Sequence, residues 1–295
     1  MKYFKPLKVL QETFDCINNI KFSPDATKIV SSLDDGTITI WDKKQEKIHM
    51  LRGHRYRINS AQFSFDGTLI VSCSVDKTLR LWDVKSYTEI MQLEGHLSYV
   101  TNAQFSSDGK TIVSGSNDQT IRLWDAKVGQ EIKVIEAHSK GVTNVQFSID
   151  DSKVISSSYD KTIGIWDVRA GKRVKELRGH REYVVKACFS PCGYYVLSCS
   201  WDKTIRIWDL RSGKVLQKLV GHSAGITDLN FFPDGQTIVS CSIDKTIRLW
   251  DVRFGTEIQK LSGHSDGVTA ADISPDGGTI VSSSLDKTVR LWGSL

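Results

Sequence analysis

GHLSYVTNAQFSSDGKTIVSGSNDQTIRLWD, residues 95–125, decides the fold of this chain. It holds three short runs, VTNAQF (100–105), TIVSGS (111–116) and TIRLWD (120–125), rich in β-branched residues. Between them, Ser107-Asp108-Gly109-Lys110 is a turn with glycine, and Asn117-Asp118-Gln119 is short enough for a hairpin. A fourth run, EIKVI (131–135), precedes Ala137-His138. No window keeps a helical period, so the unit reads as a four-stranded antiparallel meander.

The same unit recurs along the chain. Trp41, Trp82, Trp124, Trp166, Trp208, Trp250 and Trp292 are spaced by 41 residues once and by 42 thereafter, and all but the last are followed by Asp. Twenty-eight residues before the last six stand His54, His96, His138, His180, His222 and His264. Six residues before all seven stand Asp35, Asp76, Asp118, Asp160, Asp202, Asp244 and Asp286. One such meander buries little by itself. Seven packed radially bury one another's faces and leave only short, protected edges.

Gly-His, Ser-x-Ser-x-Asp-Lys-Thr and Trp-Asp at these spacings closely resemble the WD-repeat family, over essentially the whole of residues 1–295. Gly-His is intact in five units; Ala137-His138 replaces it in one, and the first has Glu12-Thr13. The resemblance implies an all-β fold, a seven-bladed β-propeller of four-stranded antiparallel blades, with strands a to d from the central channel outward. Because the chain ends three residues after Trp292, the last blade lacks an outer strand of its own. PLKVLQET (6–13) matches EIMQLEGH (89–96) position for position, so residues 6–12 are expected to complete the last blade and close the ring.

Ser, His and Asp in every full repeat invite a hydrolase reading, but a nucleophile needs one exposed serine in a pocket, not six equivalent ones beneath turns. The resemblance implies instead a structural chain from the strand-c Trp through a strand-b Ser to His and Asp. The serine is Ser72, Ser114, Ser156, Ser198, Ser240 and Ser282, with the serine two positions later in each blade as a rival. In blade one Thr13 stands in place of His, leaving Ser31, Asp35 and Trp41. The only other histidine, His49, has no neighbouring Cys or His, so no metal site is expected. No glycine-rich phosphate loop leads from a strand into a helix. The expectation is no cofactor and no enzymatic activity.

A net charge of +5 over 295 residues permits an acidic partner without the dense basic stripe of a nucleic-acid binder. The first twenty residues contain neither an apolar signal core nor a cleavage site, no apolar run is long enough to span a membrane, and Asn-x-Ser/Thr is absent. Cys73, Cys199 and Cys241 occupy one equivalent strand position that is Ser or Gly elsewhere, a small-residue substitution rather than a disulfide framework. A reducing cytoplasm or nucleus follows. Cys192, in a Pro-Cys-Gly turn, is expected to be exposed on the opposite face as an incidental replacement of the turn Asp.

In the resembled family the d–a and b–c turns crowd the narrow face, where partners often dock. The resemblance points three positions per blade there: three and five residues after the His, and the residue before the turn Asp. In blades two to five these are Arg57, Asn59 and Val75; Tyr99, Thr101 and Asn117; Gly141, Thr143 and Tyr159; Tyr183, Val185 and Trp201. Blade one offers Cys16, Asn18 and Asp34, blade six Gly225, Thr227 and Ile243, and blade seven Gly267, Thr269 and Leu285. Trp201 is the only tryptophan off the ladder. With Arg57, Tyr99, Tyr159 and Tyr183 it forms an arc of residue types enriched at binding hot spots, extended by Val75, Asn117, Val185, Ile243 and Leu285. The expectation is a protein-interaction scaffold or adaptor, monomeric within a larger complex, gripping a peptide or loop there. Nucleic acid is the alternative partner, disfavoured because the arc has one Arg and no Lys; a membrane is not expected.

Overall fold

The structure is a computed structural model describing residues 3–11, 15–42 and 46–295. Among these, twenty-eight strands form seven four-stranded antiparallel sheets. Blade three, typical of the set, runs Val100–Phe105, Thr111–Ser116, Thr120–Asp125 and Glu131–Glu136 in the order a-b-c-d. The family expectation of a seven-bladed propeller is met.

Burial explains the sequence of each strand. Strand b is buried on both faces after its first residue, so it reads as continuous small and β-branched residues rather than as alternation. Strand d buries one leucine or isoleucine, such as Leu93 or Ile135, and leaves the rest to solvent. The core lies between blades. Val71, Leu79, Leu81 and Leu93 of blade two pack against Val100, Phe105, Ile112 and Trp124 of blade three. Each ladder tryptophan is at most 5% exposed.

The ring closes through the N-terminal strand. Phe4–Gln11 pairs antiparallel with Thr288–Ser294, setting Leu10 opposite Val289 as Leu93 is set opposite Leu79. The bulge recurs in the same place, between Pro6 and Lys8 here and opposite Leu81/Trp82 there, so the sequence match holds. Leu10 joins Val281, Val289 and Leu291 of blade seven against Ile17, Ile20 and Trp41 of blade one. The Gln259 amide both donates to and accepts from the backbone of Phe4, tying the strand to blade six (2.8 and 2.9 Å). Glu12 and Thr13 lie outside the described residues.

Strand a of every blade carries a β-bulge five residues after the His position, which re-aims that side chain toward the next blade. Thr101, Thr143, Thr227 and Thr269 donate from Oγ1 to the carbonyls of Val142, Val184, Val268 and Ile17 (2.6–2.8 Å). Asn18 and Asn59 do the same to Ile58 and Val100. Val185 is the one bulge residue without a donor. At that junction Lys186 instead bonds Asp228 and Asn230 (2.8 and 2.9 Å).

In blades two to seven the indole N–H donates to Ser72, Ser114, Ser156, Ser198, Ser240 or Ser282 (2.8–3.0 Å). Each serine hydroxyl lies 2.7–2.8 Å from His Nε2, and His Nδ1 lies 2.7–2.9 Å from the Asp carboxylate. The rival serine is bonded elsewhere, with Ser74 donating to the Arg57 carbonyl and accepting from the Asp76 amide. Blade one keeps the Trp41–Ser31 bond at 3.3 Å. Burial pushes His96, His180, His222 and His264 below the usual 6.5, against the pull of their aspartates. Burial also works against ionisation of the aspartates, but the bonds from His and Thr prevail. Asp244 and Asp286 drop to about 2, and Asp76, Asp118, Asp160 and Asp202 fall lower still. In blades three, five, six and seven the chain at neutral pH is therefore indole N–H to serine oxygen, serine O–H to neutral imidazole, and imidazole N–H to carboxylate.

Deleting residues 1–11 bares the edge of the last blade, and the truncated chain should oligomerise and melt lower; a monomer with an unaltered melting curve would show closure to be independent of this strand. Val185→Thr restores the missing inter-blade donor and should raise unfolding free energy by about 0.5–1.5 kcal/mol in denaturant titration. Asp202→Ala should cost about 1–3 kcal/mol by orphaning His180. For the parent, the lowered histidines add stability that is complete above pH 6.5 and declines below it, and the lowered aspartates add stability lost as pH falls below 3.8. Melting temperature should therefore be highest above neutrality, slip as pH falls below 6.5, and fall steeply under pH 4.

Candidate partner-binding face

The buried networks bring two turns of each blade together. Asp Oδ1 in the b–c turn accepts from the backbone and side chain of the Thr two residues on, as in Asp202–Thr204, while Oδ2 reaches the His of the d–a turn. In all seven blades the amide of the residue before that Asp donates to the carbonyl three residues after the His position. Val75 bonds Arg57, Tyr159 bonds Gly141, and Trp201 bonds Tyr183, at 3.0–3.1 Å. Positions distant in sequence thus share one face, the one that the resemblance to the family makes the narrow face.

The same two positions also meet across blade junctions. Arg57 Nε pairs with Asp34 at 3.3 Å. Tyr159 meets Tyr183 edge to face, ring centres 5.2 Å apart at 88°. Trp201 lies over Gly225, where an added Cβ would stand 3.0 Å from the indole; Asn117 covers Gly141 and Ile243 covers Gly267 in the same way. Cys16 Sγ contacts the Leu285 carbonyl at 3.9 Å across the closing junction. Burial raises the Tyr159 phenol above its usual 10, opposed by the charge of Arg57.

These contacts sort the sequence-selected residues. Tyr159, Tyr183 and Trp201 form one contiguous aromatic run over blades four to six, each packed on one side and open on the other, at 37%, 39% and 51% exposure. Tyr99, 46% exposed, stands apart from that run, with the Asn117–Gly141 pair between. Arg57 is exposed at the far end, and Val75, Asn117, Ile243 and Leu285 are half-buried. Val185 belongs to a different surface: as a bulge residue it lines the channel, half-buried, like Asn18, Thr101, Thr143, Thr227 and Thr269.

The channel wall is the feature that the sequence reading did not single out. It is strongly polar, lined by Asn19, Asn102, Asn144 and Asn230 with Gln62, Gln104 and Gln146. Two ion pairs span neighbouring blades, Lys21–Asp272 at 2.9 Å and Lys186–Asp228 at 2.8 Å. The signal was available: strand a alternates apolar residues with amides or charges, the pattern of a strand with one solvated face.

All six network serines are fully buried, and their hydroxyls are committed at both ends, so no substrate carbonyl can approach them. Among the described residues no group of three or more His, Cys, Asp or Glu is arranged to hold a metal. Cys73, Cys199 and Cys241 are buried, which raises their thiols, while Cys192 is exposed in its turn. Among the described residues no helix is long and apolar enough to cross a membrane.

No curated protein matches the chain. The family model described as WD domain, G-beta repeat matches seven times, at residues 4–42, 45–83, 87–125, 129–167, 171–209, 213–251 and 255–293. Each match opens on an outer strand and ends one residue past the ladder tryptophan of the following blade, the phase that the N-terminal closing strand requires. Propellers of this kind typically serve as protein-interaction scaffolds and are usually non-catalytic. With seven matched repeats forming seven blades, the chain belongs to the WD-repeat family.

Proposed function

We propose that the protein is a non-enzymatic scaffold or adaptor subunit that binds a peptide or loop of another protein on its narrow face, with Trp201 as the anchor. The observation that carries this reading is the run Tyr159–Tyr183–Trp201, in which rings are fixed from below yet open above. Such rings offer large contact area at little further entropic cost, which is why Tyr and Trp dominate hot spots. Val75, Ile243 and Leu285 widen the apolar floor, and Arg57 and Tyr99 mark the far side of the channel mouth. Asn117 supplies a polar contact, and Val185 contributes from the channel wall. Six unpaired thiols suit a reducing compartment, cytoplasm or nucleus.

Trp201→Ala tests this. The indole covers Gly225 but fills no core, so unfolding free energy should change by no more than about 0.5–1 kcal/mol. Affinity for the main partner, isolated by affinity purification and measured by titration, should fall by at least ~2 kcal/mol. Unaltered affinity would move the site to another face. Equal losses of stability and binding would make Trp201 part of the scaffold.

A further inference from the structure

The charge on the narrow face is as uneven as its aromatics. In blades two to five the d–a turns present Arg55, Arg57, Lys140 and Arg181, all exposed. The b–c turns add exposed Lys77 and Lys203 and half-buried Lys161. Against these seven cations the same turns expose one carboxylate, Glu182, which already lies 3.4 Å from Lys161. The four turn aspartates of this sector are spent inside the fold: their side chains are 6–11% exposed and held by His and Thr. On the outer rim Arg52 and Arg178 balance Glu94 and Glu136. Blades six, seven and one are different, with Lys245 and Lys287 set against Asp15, Asp34 and Asp266.

The lysines stand at a telling backbone position. Lys77, Lys161 and Lys203 hold φ of +71°, +73° and +67°, a left-handed conformation that favours glycine; blade one has Gly36 there, at +80°. Turn geometry does not ask for lysine at these sites. At this position the Lys161 ammonium reaches the neighbouring d–a turn, donating to the Arg181 carbonyl at 2.7 Å.

Resting on the narrow-face reading above, we propose that the bound segment is acidic: a peptide or loop whose Asp and Glu side chains lie over blades two to five, beside an apolar or aromatic residue seated on Tyr159, Tyr183 and Trp201. Cations and rings occupy the same half of the face, so one short segment meets both. Among the described residues, Arg55, Lys77, Lys140, Arg181 and Lys203 form no ion pair, which leaves them available to a partner. A long polyanion is a poorer fit. Nucleic acid crossing the whole face would run onto the Asp15, Asp34 and Asp266 side, and phosphate tracking needs a continuous basic groove.

Phage-displayed random dodecapeptides selected on the full chain at low salt provide the test. They are counter-screened on Trp201→Ala and on the triple variant Arg55→Glu/Lys77→Glu/Lys203→Glu, with melting curves showing both variants folded. Enriched peptides should exceed the starting library in Asp and Glu and carry a large apolar residue. Their affinity should drop at least ~10-fold on each variant and weaken at high salt. Enriched peptides that are lost on Trp201→Ala but are neutral or basic, or indifferent to the charge reversal, would overturn the acidic partner and leave the face standing. Peptides that bind both variants like the parent, or no enrichment at all, would overturn both. A dT oligonucleotide that binds more tightly than any selected peptide and is lost on the charge reversal would assign the cations to nucleic acid instead.

Discussion

In each of blades two to seven, a serine hydroxyl with no solvent exposure accepts from an indole and lies against an imidazole, and the rest of the blade is organised around that junction. The indole belongs to strand c, the serine to strand b, the imidazole to the d–a turn, and the imidazole's carboxylate to the b–c turn. One hydroxyl therefore fixes four segments that the chain would otherwise leave to flexible turns. A buried member deprived of its partner is costly, so the four move together or not at all. The turns above the network inherit its rigidity. Residues beside the network can then vary from blade to blade without disturbing the frame, and it is among them that Tyr, Trp, Arg and Gly alternate.

Most of this frame was legible in the sequence because a repeat states its own register. The tryptophan ladder fixed strand c, the His and Asp offsets fixed the two turns, and the alignment of Leu10 with Leu93 anticipated the closing strand down to its bulge. The residue five after the His was harder. The family resemblance places it on the narrow face with its neighbours, whereas the structure turns it into the channel and, in six blades, against the next blade's carbonyl. The cause is a bulge of one residue, invisible to alternation, which rotates Thr101 and its equivalents out of phase with the rest of strand a. The polar channel wall was equally readable from alternation, but a ring of separate strands makes a surface only once the blades are arranged about an axis.

The junctions between blades are not equivalent, and their differences are local. Between blades five and six the threonine stitch is absent, and a lysine–aspartate pair takes over beside it, with Asp228 also accepting from the amides of Leu229 and Ala271. Between blades seven and one a similar pair, Lys21–Asp272, accompanies an intact stitch from Thr269, and Asp272 accepts from the Phe22 amide. A buried ion pair is a weak source of net stability but a strict judge of geometry, since displacing either partner strands a charge. The junction between blades seven and one, beside the seam at which Phe4–Gln11 pairs with Thr288–Ser294, carries both devices.

The rungs across these junctions explain how an indole can stand on the face at all. At six junctions the residue before the turn Asp meets the residue three after the next His, so the space for one side chain is set by the size of the other. Asp34 with Arg57 and Tyr159 with Tyr183 fill that space from both sides. Trp201 fills it alone, because Gly225 presents bare backbone on which a flat ring can rest; a Cβ there would stand within 3.0 Å of the indole. A glycine at one repeat position is thus the complement of a tryptophan at another, 24 residues earlier in the chain. The arrangement supports half of the ring and leaves the other half dry only if something covers it. In the proposed binding mode an apolar side chain of the partner covers the exposed face of the ring, and the cations of the flanking turns select an acidic neighbour for it.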